Sequence, residues 1–451
     1  MNLYTLLNKR LKESGPIRIG VIGAGKFASM FFTQAVNMPE FHVVAVADLD
    51  TTRAKDALKR TGWDMGRVTT SNVKEAVSTG LTAVTDDSSE IIENEQIEVI
   101  LEITGNPAAG VRHALAAIEN GKHIIMVNVE ADVLAGPLLK EKADAAGVVY
   151  SMAYGDQPAL ICEMVDWCRA SGFEVMAAGK GTKYLPVYRE STPETVWDHY
   201  GFTEEQLATG DFNPQMFNSF LDGTKSAIEM AAVANGTGLI PPDEGLTFPP
   251  VSTDELPTKL RPSSEGGVLS SSGTVEVVSS LNLDGSEIAN DLRWGVYVTF
   301  KARTEYAMRC FGEYGVKTDP SGKYASLYRP THMIGMELGI SVASAVLRNE
   351  PTGAPSAFVG DVIAVAKKDL EIGEVLDGEG GYCVTGVLTS ARKSLAEGAL
   401  PIGLASSVKL KKPVAAGEIV RWDDIEEPKD TPALRLRKEM ERRTRGVIEC
   451  V

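Results

Sequence analysis

Two observations in the 451-residue sequence predict an α/β fold that opens with a doubly wound parallel sheet. The first is the segment Ile17-Arg18-Ile19-Gly20-Val21-Ile22-Gly23-Ala24-Gly25-Lys26-Phe27-Ala28, an apolar strand that runs into a glycine turn and then into a helix. The second is the continued alternation of apolar strands with helical stretches up to about residue 150, the spacing of βαβ units.

At the turn, Gly23 makes the tight bend, Gly25 lets the backbone approach a pyrophosphate, and Ala28 lets helix and strand pack closely. Lys26 and Phe27 open the helix, whose free N–H groups carry positive partial charge. A second strand, Val43 to Ala47, ends in Asp48, where an acid accepts a ribose 2′-hydroxyl and favours NAD. Arg53, five residues on, is placed either to pair with a 2′-phosphate or to stand in solvent.

The fourth strand, Ile97 to Ile103, ends at Thr104-Gly105-Asn106-Pro107, and the fifth, Lys122 to Val127, ends at Asn128. Both ends fall on the carboxyl edge of the sheet, where such folds bind ligands, so Thr104, Gly105, Asn106 and Asn128 are expected near the nicotinamide ribose. This dinucleotide-binding domain spans residues 1–153, with residues 1–15 as a helical arm.

Residues 154–350 read as an α+β domain for substrate, catalysis and dimerisation. Gly179-Lys180-Gly181-Thr182-Lys183 is expected as a strand-to-loop turn that either presents Lys180 and Lys183 to an anion or leaves them solvated. A single helix is expected over Phe217 to Ala234, with Asp222, Lys225 and Glu229 on one face. That face is either a surface ion-pair ladder or a partly buried acid–base group. Thr331 is expected to cap a helix from Met333 to Arg348, with Arg329 and His332 at its electropositive end.

Asn349 to Pro355 breaks the chain before a small β-rich domain, 355–428. Two stretches in it, Ile363 to Leu376 and Val408 to Val420, share one pattern of apolar strand, two lysines, a turn and Gly-Glu. They resemble the SAF module. The tail, 429–451, has the spacing of a basic helix, solvated or in contact with another subunit.

A net charge of −16 opposes nucleic acid as the main partner. No stretch has the ~20 apolar residues of a membrane span, and the first ten residues lack a signal-peptide core, so a cytoplasmic protein is expected. The five cysteines form no CxxC pair and read as buried small hydrophobes.

The glycine turn, Thr104-Gly105-Asn106-Pro107, Gly121 to Asn128 and the Asp222/Lys225 helix together resemble the homoserine dehydrogenase superfamily. The resemblance implies an aspartate and a lysine that move protons during hydride transfer. The acid and lysine are three apart here rather than four, and Val129 stands where a lysine is usual. Over nearly the whole chain, Gly-Lys-Gly-Thr-Lys, Asp-Gly-Thr-Lys-Ser-Ala-Ile-Glu-Met and the C-terminal module look more like the 1-deoxy-D-xylulose 5-phosphate reductoisomerase-like proteins. That likeness implies an NADPH-dependent homodimer, with NADH as the lesser alternative, a divalent metal (Mg or Mn) and a phosphorylated small-molecule substrate. It casts Lys225 as proton donor with Asp222, Glu229 and His332 around it, and Lys180, Lys183 and Arg329 as phosphate holders. A reductase of another sugar phosphate or of a semialdehyde, and a nucleotide-sensing binding protein without turnover, are the rival readings.

Overall fold

A computed structural model describes residues 2–209 and 212–448. They form two compact units, each assembled from separated stretches of chain.

The first unit comprises residues 1–160, 333–355 and 431–437. Its sheet has six strands, β1 (Ile17–Ile22), β2 (Phe41–Ala47), β3 (Ala83–Thr85), β4 (Val99–Glu102), β5 (His123–Met126) and β6 (Tyr150–Met152), in the order β3-β2-β1-β4-β5-β6. All its pairings are parallel. The order reverses at β1, which places the crevice at the glycine turn, as expected. The strands read as unbroken apolar runs because both faces are covered. Leu3 and Leu7 of the N-terminal helix share a core with Ile17, Phe31, Leu338, Val342 and Ala345. That core draws residues 333–355 into this unit, whereas the sequence placed them with the central domain. The expected helix from Met333 starts at Gly339 with Leu338 as N-cap, so Thr331 caps nothing.

The second unit comprises residues 161–332, 356–430 and 438–451. Its mixed sheet runs β10-β9-β7-β8, from β7 (Glu174–Thr182), β8 (Thr274–Ser279), β9 (Val296–Lys301) and β10 (Tyr324–Arg329). Strand β7 runs on through Thr182, so Gly179-Lys180-Gly181 is strand and not turn. Its glycines are packing devices: a Cβ at Gly179 would strike the carbonyl oxygen of Glu276, and one at Gly181 that of Leu292. The expected helix over 217–234 is two helices, Pro214–Leu221 and Thr224–Thr237. Gly223, at φ +90°, makes the break, and the Asp222 carboxylate accepts the Thr224 N–H at 2.9 Å.

The C-terminal segment is part of this unit, with antiparallel pairs β11 (Gly360–Ala366) with β13 (Val384–Ser390) and β12 (Val375–Asp377) with β14 (Ser406–Lys409). The two repeats pair with each other at equivalent positions. Leu370 and Val414 exchange both backbone hydrogen bonds, at 2.8 and 3.0 Å. Gly373 N–H to Leu410 C=O is matched by Gly417 N–H to Ala366 C=O, both 2.8 Å. A local two-fold arrangement of two hairpin-like halves explains the repeated lysine pair and Gly-Glu. The final helix, Pro432–Ile448, buries Ala433, Leu436, Arg437 and Met440 and is therefore not simply solvated. Cys168 and Cys383 are buried as expected, Cys162 and Cys310 only partly, and Cys450 lies outside the described residues. Among the described residues, no helix is long and apolar enough to cross a membrane.

At the carboxyl edge of the first sheet, Asp132 is buried and accepts the Tyr150 hydroxyl at 2.8 Å. Burial raises its pKa to about 7, against the opposing hydrogen bond. The folded state therefore holds a proton that the unfolded chain has released, and this contribution is present at low pH and lost as pH rises through about 7. Relative to Asp132→Asn, the unfolding free energy of the unmodified protein should fall by up to about 1.4 kcal/mol per pH unit between about pH 5 and 7, read by denaturant melts. Parallel curves for the two proteins would show that Asp132 is ionised when folded.

Candidate active site

In the first unit the glycine turn has the shape that a dinucleotide requires. Gly23 sits at φ +102°, and a Cβ there would come within 2.8 Å of the Ile103 carbonyl. A Cβ at Gly25, the N-cap of helix Lys26–Ala35, would meet no protein atom within 4 Å, which leaves a cradle beside the helix N-terminus. Lys26 is exposed at the first helical position, Phe27 half-buried, and Ala28 fully buried against the sheet.

Asp48 does something other than wait for a ribose. Its Oδ2 accepts the Ala24 N–H at 2.7 Å and its Oδ1 the Asp50 N–H at 2.9 Å. The Arg53 guanidinium lies on both oxygens, at 2.7 and 2.8 Å. A carboxylate offers about four lone-pair sites, and these contacts use them all. Asp48 thus ties the glycine turn to the end of β2, while Arg53, whose side chain is 55% exposed, marks the rim. This corrects the expectation that Asp48 is open to a 2′-hydroxyl.

Thr104 donates to Glu102 at 2.6 Å, and Gly105 sits at φ +69° in open space. Asn106 and Asn128 cap the helices Pro107–Glu119 and Val129–Ala145, and Asn128 Nδ2 also donates to the Asn106 carbonyl at 2.9 Å. The sheet edge is therefore held rigid, and its capping carbonyls and side chains are fixed before any ligand arrives.

The second unit gathers the remaining candidates, but in different partnerships from those expected. Lys180 is buried and forms an ion pair with buried Glu229. That removes Lys180 from the expected phosphate site. Asp222 is buried and pairs at 2.6 Å with Lys367 of the C-terminal segment, whose ammonium also donates to the Ser191 and Gly381 carbonyls. Burial raises the Asp222 pKa, and Lys367 opposes the shift. Asp222, Lys225 and Glu229 accordingly do not form one ladder. Lys225, at the second position of helix Thr224–Thr237, is half-buried, flanked by buried Thr224 and Ser226. Glu229 follows one turn later.

Lys183 lies just past β7 and donates to the His199 carbonyl at 2.7 Å; burial, then Arg293, lowers its pKa. Arg329 ends β10 opposite Val296, and His332 is hydrogen-bonded through Nδ1 to the Trp294 carbonyl at 2.7 Å. Sequence reasoning missed Lys367, Arg293 and Glu276. Glu276, buried on β8 and pushed up to about 7 by burial, accepts from Val277 N–H at 2.9 Å and from the Thr247 hydroxyl at 2.7 Å. Among the described residues, no three His, Cys, Asp or Glu side chains converge to hold the expected Mg or Mn.

Residues 17–127 match a family described as an oxidoreductase family with an NAD-binding Rossmann fold, and residues 155–338 match the catalytic domain of oxidoreductase DRL. Two separate stretches of the chain thus match oxidoreductase families, the first of them with an NAD-binding Rossmann fold. It is 25% identical over 136 residues to homoserine dehydrogenase of Pseudomonas aeruginosa and spans only 28% of that protein's length. Among solved structures it is similar to a 3-ketoreductase from Actinomadura kijaniata, with 17% identity, TM-score 0.26, and 38% of this chain and 48% of that one covered. A biliverdin reductase from Synechocystis shows 16% identity and TM-score 0.27 over 38% and 48% of the two chains. The Bacillus subtilis protein yvaA shows 12% identity and TM-score 0.36 over 74% and 89%.

The Asp48–Arg53 arrangement has a direct test. Arg53→Ala should weaken NADPH binding by about 10-fold or more while NADH binding changes little, because a charge-assisted bond to a 2′-phosphate is lost. Equal effects on the two nucleotides, measured by fluorescence titration, would assign Arg53 only to the fastening of Asp48.

Proposed function

We propose that this oxidoreductase uses NADPH to reduce a carbonyl on a small phosphorylated sugar. The specific form supported by the sequence resemblance is the conversion of 1-deoxy-D-xylulose 5-phosphate to 2-C-methyl-D-erythritol 4-phosphate in a cytoplasmic homodimer: the carbon skeleton first rearranges, one C–C bond breaking as another forms, and the hydride then reduces the resulting branched aldehyde. The observation that carries the reading is Lys225: a half-buried ammonium at the start of an otherwise buried helix, one turn before Glu229 in its ion pair with Lys180.

When bound, the nicotinamide supplies a hydride. Gly25 and the helix N-terminus would hold the pyrophosphate, and Arg53 would pair with a 2′-phosphate while the Ala24 and Asp50 N–H groups keep Asp48 in place. Hydride addition to a carbonyl creates an alkoxide. Lys225 Nζ gives that oxygen a proton, and the buried Lys180–Glu229 pair holds the helix at a fixed depth behind it. Asp222, neutralised by Lys367, is a structural anchor in this scheme and not an orienting base. Lys183, Arg329 and His332 are assigned to the phosphate end. The homoserine dehydrogenase likeness favours a second substrate class, an amino-acid semialdehyde.

The purified protein, mixed with NADPH and a panel of ketose phosphates and semialdehydes, should oxidise the cofactor with a phosphorylated substrate, followed at the reduced-nicotinamide absorbance. Lys225→Met keeps the stem and removes the charge; turnover should fall by about 10²–10⁴-fold with NADPH affinity unchanged. Near-normal turnover in that variant would remove Lys225 from the chemistry.

A further inference from the structure

Two cations in the second unit are brought together by a contact that the sequence does not announce. The turn Leu292–Gly295 leads into β9 and lies on the end of β7, and Gly181 is glycine because a Cβ would strike Leu292 O and approach Arg293 N to 3.0 Å. This contact brings the Arg293 backbone against β7 two residues before Lys183, and the two side chains act on each other electrostatically. Arg293 and burial both disfavour the charged form of Lys183, with only Glu287 acting the other way. The Arg293 guanidinium stacks on Trp294, 4.8 Å from the ring centre. Among the described residues no carboxylate forms an ion pair with Arg293 or Lys183, and Lys183 has spent one donor on His199 O.

Glu287 acts on Lys183 without an ion-pair contact and the Asp291 carboxylate accepts the Arg293 backbone N–H at 2.7 Å, so the two half-buried cations keep a Coulomb cost that a bound anion removes. Arg293 has a planar fork suited to two oxygens, and Lys183 adds a point charge.

We propose that Arg293, acting with Lys183 on a platform made by Trp294, is the seat for the phosphate monoester of the substrate. This rests on the reading of a phosphorylated substrate given above and adds the residue that selects it. The seat prefers a dianionic phosphate over an uncharged sugar end.

Two measurements on the full chain separate the seat from the redox reading. Inorganic phosphate, titrated at constant ionic strength, should change the tryptophan fluorescence saturably, and Trp294→Phe should remove that change. Arg293→Gln and Lys183→Gln should each weaken phosphate by about 10–100-fold, the loss expected for a charge-assisted bond, with NADPH affinity unchanged. In turnover, Arg293→Gln should raise KM for the phosphorylated substrate by a similar factor while kcat stays within about 3-fold. A phosphate titration or a KM unmoved by Arg293→Gln overturns the seat and leaves the oxidoreductase reading intact. A titration lost in Arg293→Gln, in a protein that reduces no phosphorylated carbonyl, supports the seat and overturns the substrate reading.

Discussion

A lysine in the middle of a buried strand must find a negative partner, and in the second unit Lys180 finds Glu229. Leaving either charge alone in that interior would cost several kcal/mol, about 3–5 for a broken buried pair, so the strand and the helix Thr224–Thr237 are bound to one register. Gly179 and Gly181 let the neighbouring backbones close in on either side of that lysine. The same helix organises the C-terminal segment: the Thr224 hydroxyl accepts the Gly386 N–H at 2.8 Å, and Asn235 Oδ1 accepts the N–H groups of Val359 and Gly360. Lys225 is carried on the first turn of an element whose depth and rotation are thus already set.

The C-terminal repeat shows how a symmetric scaffold takes on an asymmetric task. Lys367 and Lys411 occupy equivalent positions in the two halves, yet only the first is buried as the counter-ion of Asp222. The second keeps its side chain exposed while its backbone N–H donates to the Asp424 carbonyl at 2.8 Å. The shared pattern accounts for the equivalent backbone pairing, and the need of buried Asp222 for a cation accounts for the different burial of the two lysines. This small β segment is in that respect a structural partner of the central sheet rather than an appendage.

Much of the first unit was legible in the sequence because its signals are local. The glycine turn, the strand ends at Thr104 and Asn128 and the alternation of strands with helices each depend on neighbouring residues, and the strand order follows from them. The helix break at Asp222-Gly223 was hidden, since the apolar pattern continues across it and only the left-handed backbone of Gly223 ends the helix. Asp48 looked like a ribose ligand because its bonds to Ala24 and Arg53 arise only once the turn has folded over it. The Asp222–Lys367 and Lys180–Glu229 pairs, and the approach of Arg293 to Lys183, join residues far apart in the chain and leave no periodic trace. The core shared by Leu3, Phe31 and Val342, which moves residues 333–355 into the first unit, is hidden for the same reason.

The first unit offers a nucleotide cradle built from backbone and helix termini, and the second a charged interior whose ion pairs set the position of one half-buried lysine. In the proposed reaction a hydride passes from the cofactor to a carbonyl carbon of a phosphorylated sugar. The most direct measurement uses NADPH deuterated at the transferring position of the nicotinamide, incubated with the protein and ketose phosphates, with products read by mass spectrometry. One deuterium is expected on the carbon of the newly formed alcohol in a phosphorylated product. Cofactor oxidation without deuterium in any phosphorylated product would contradict it.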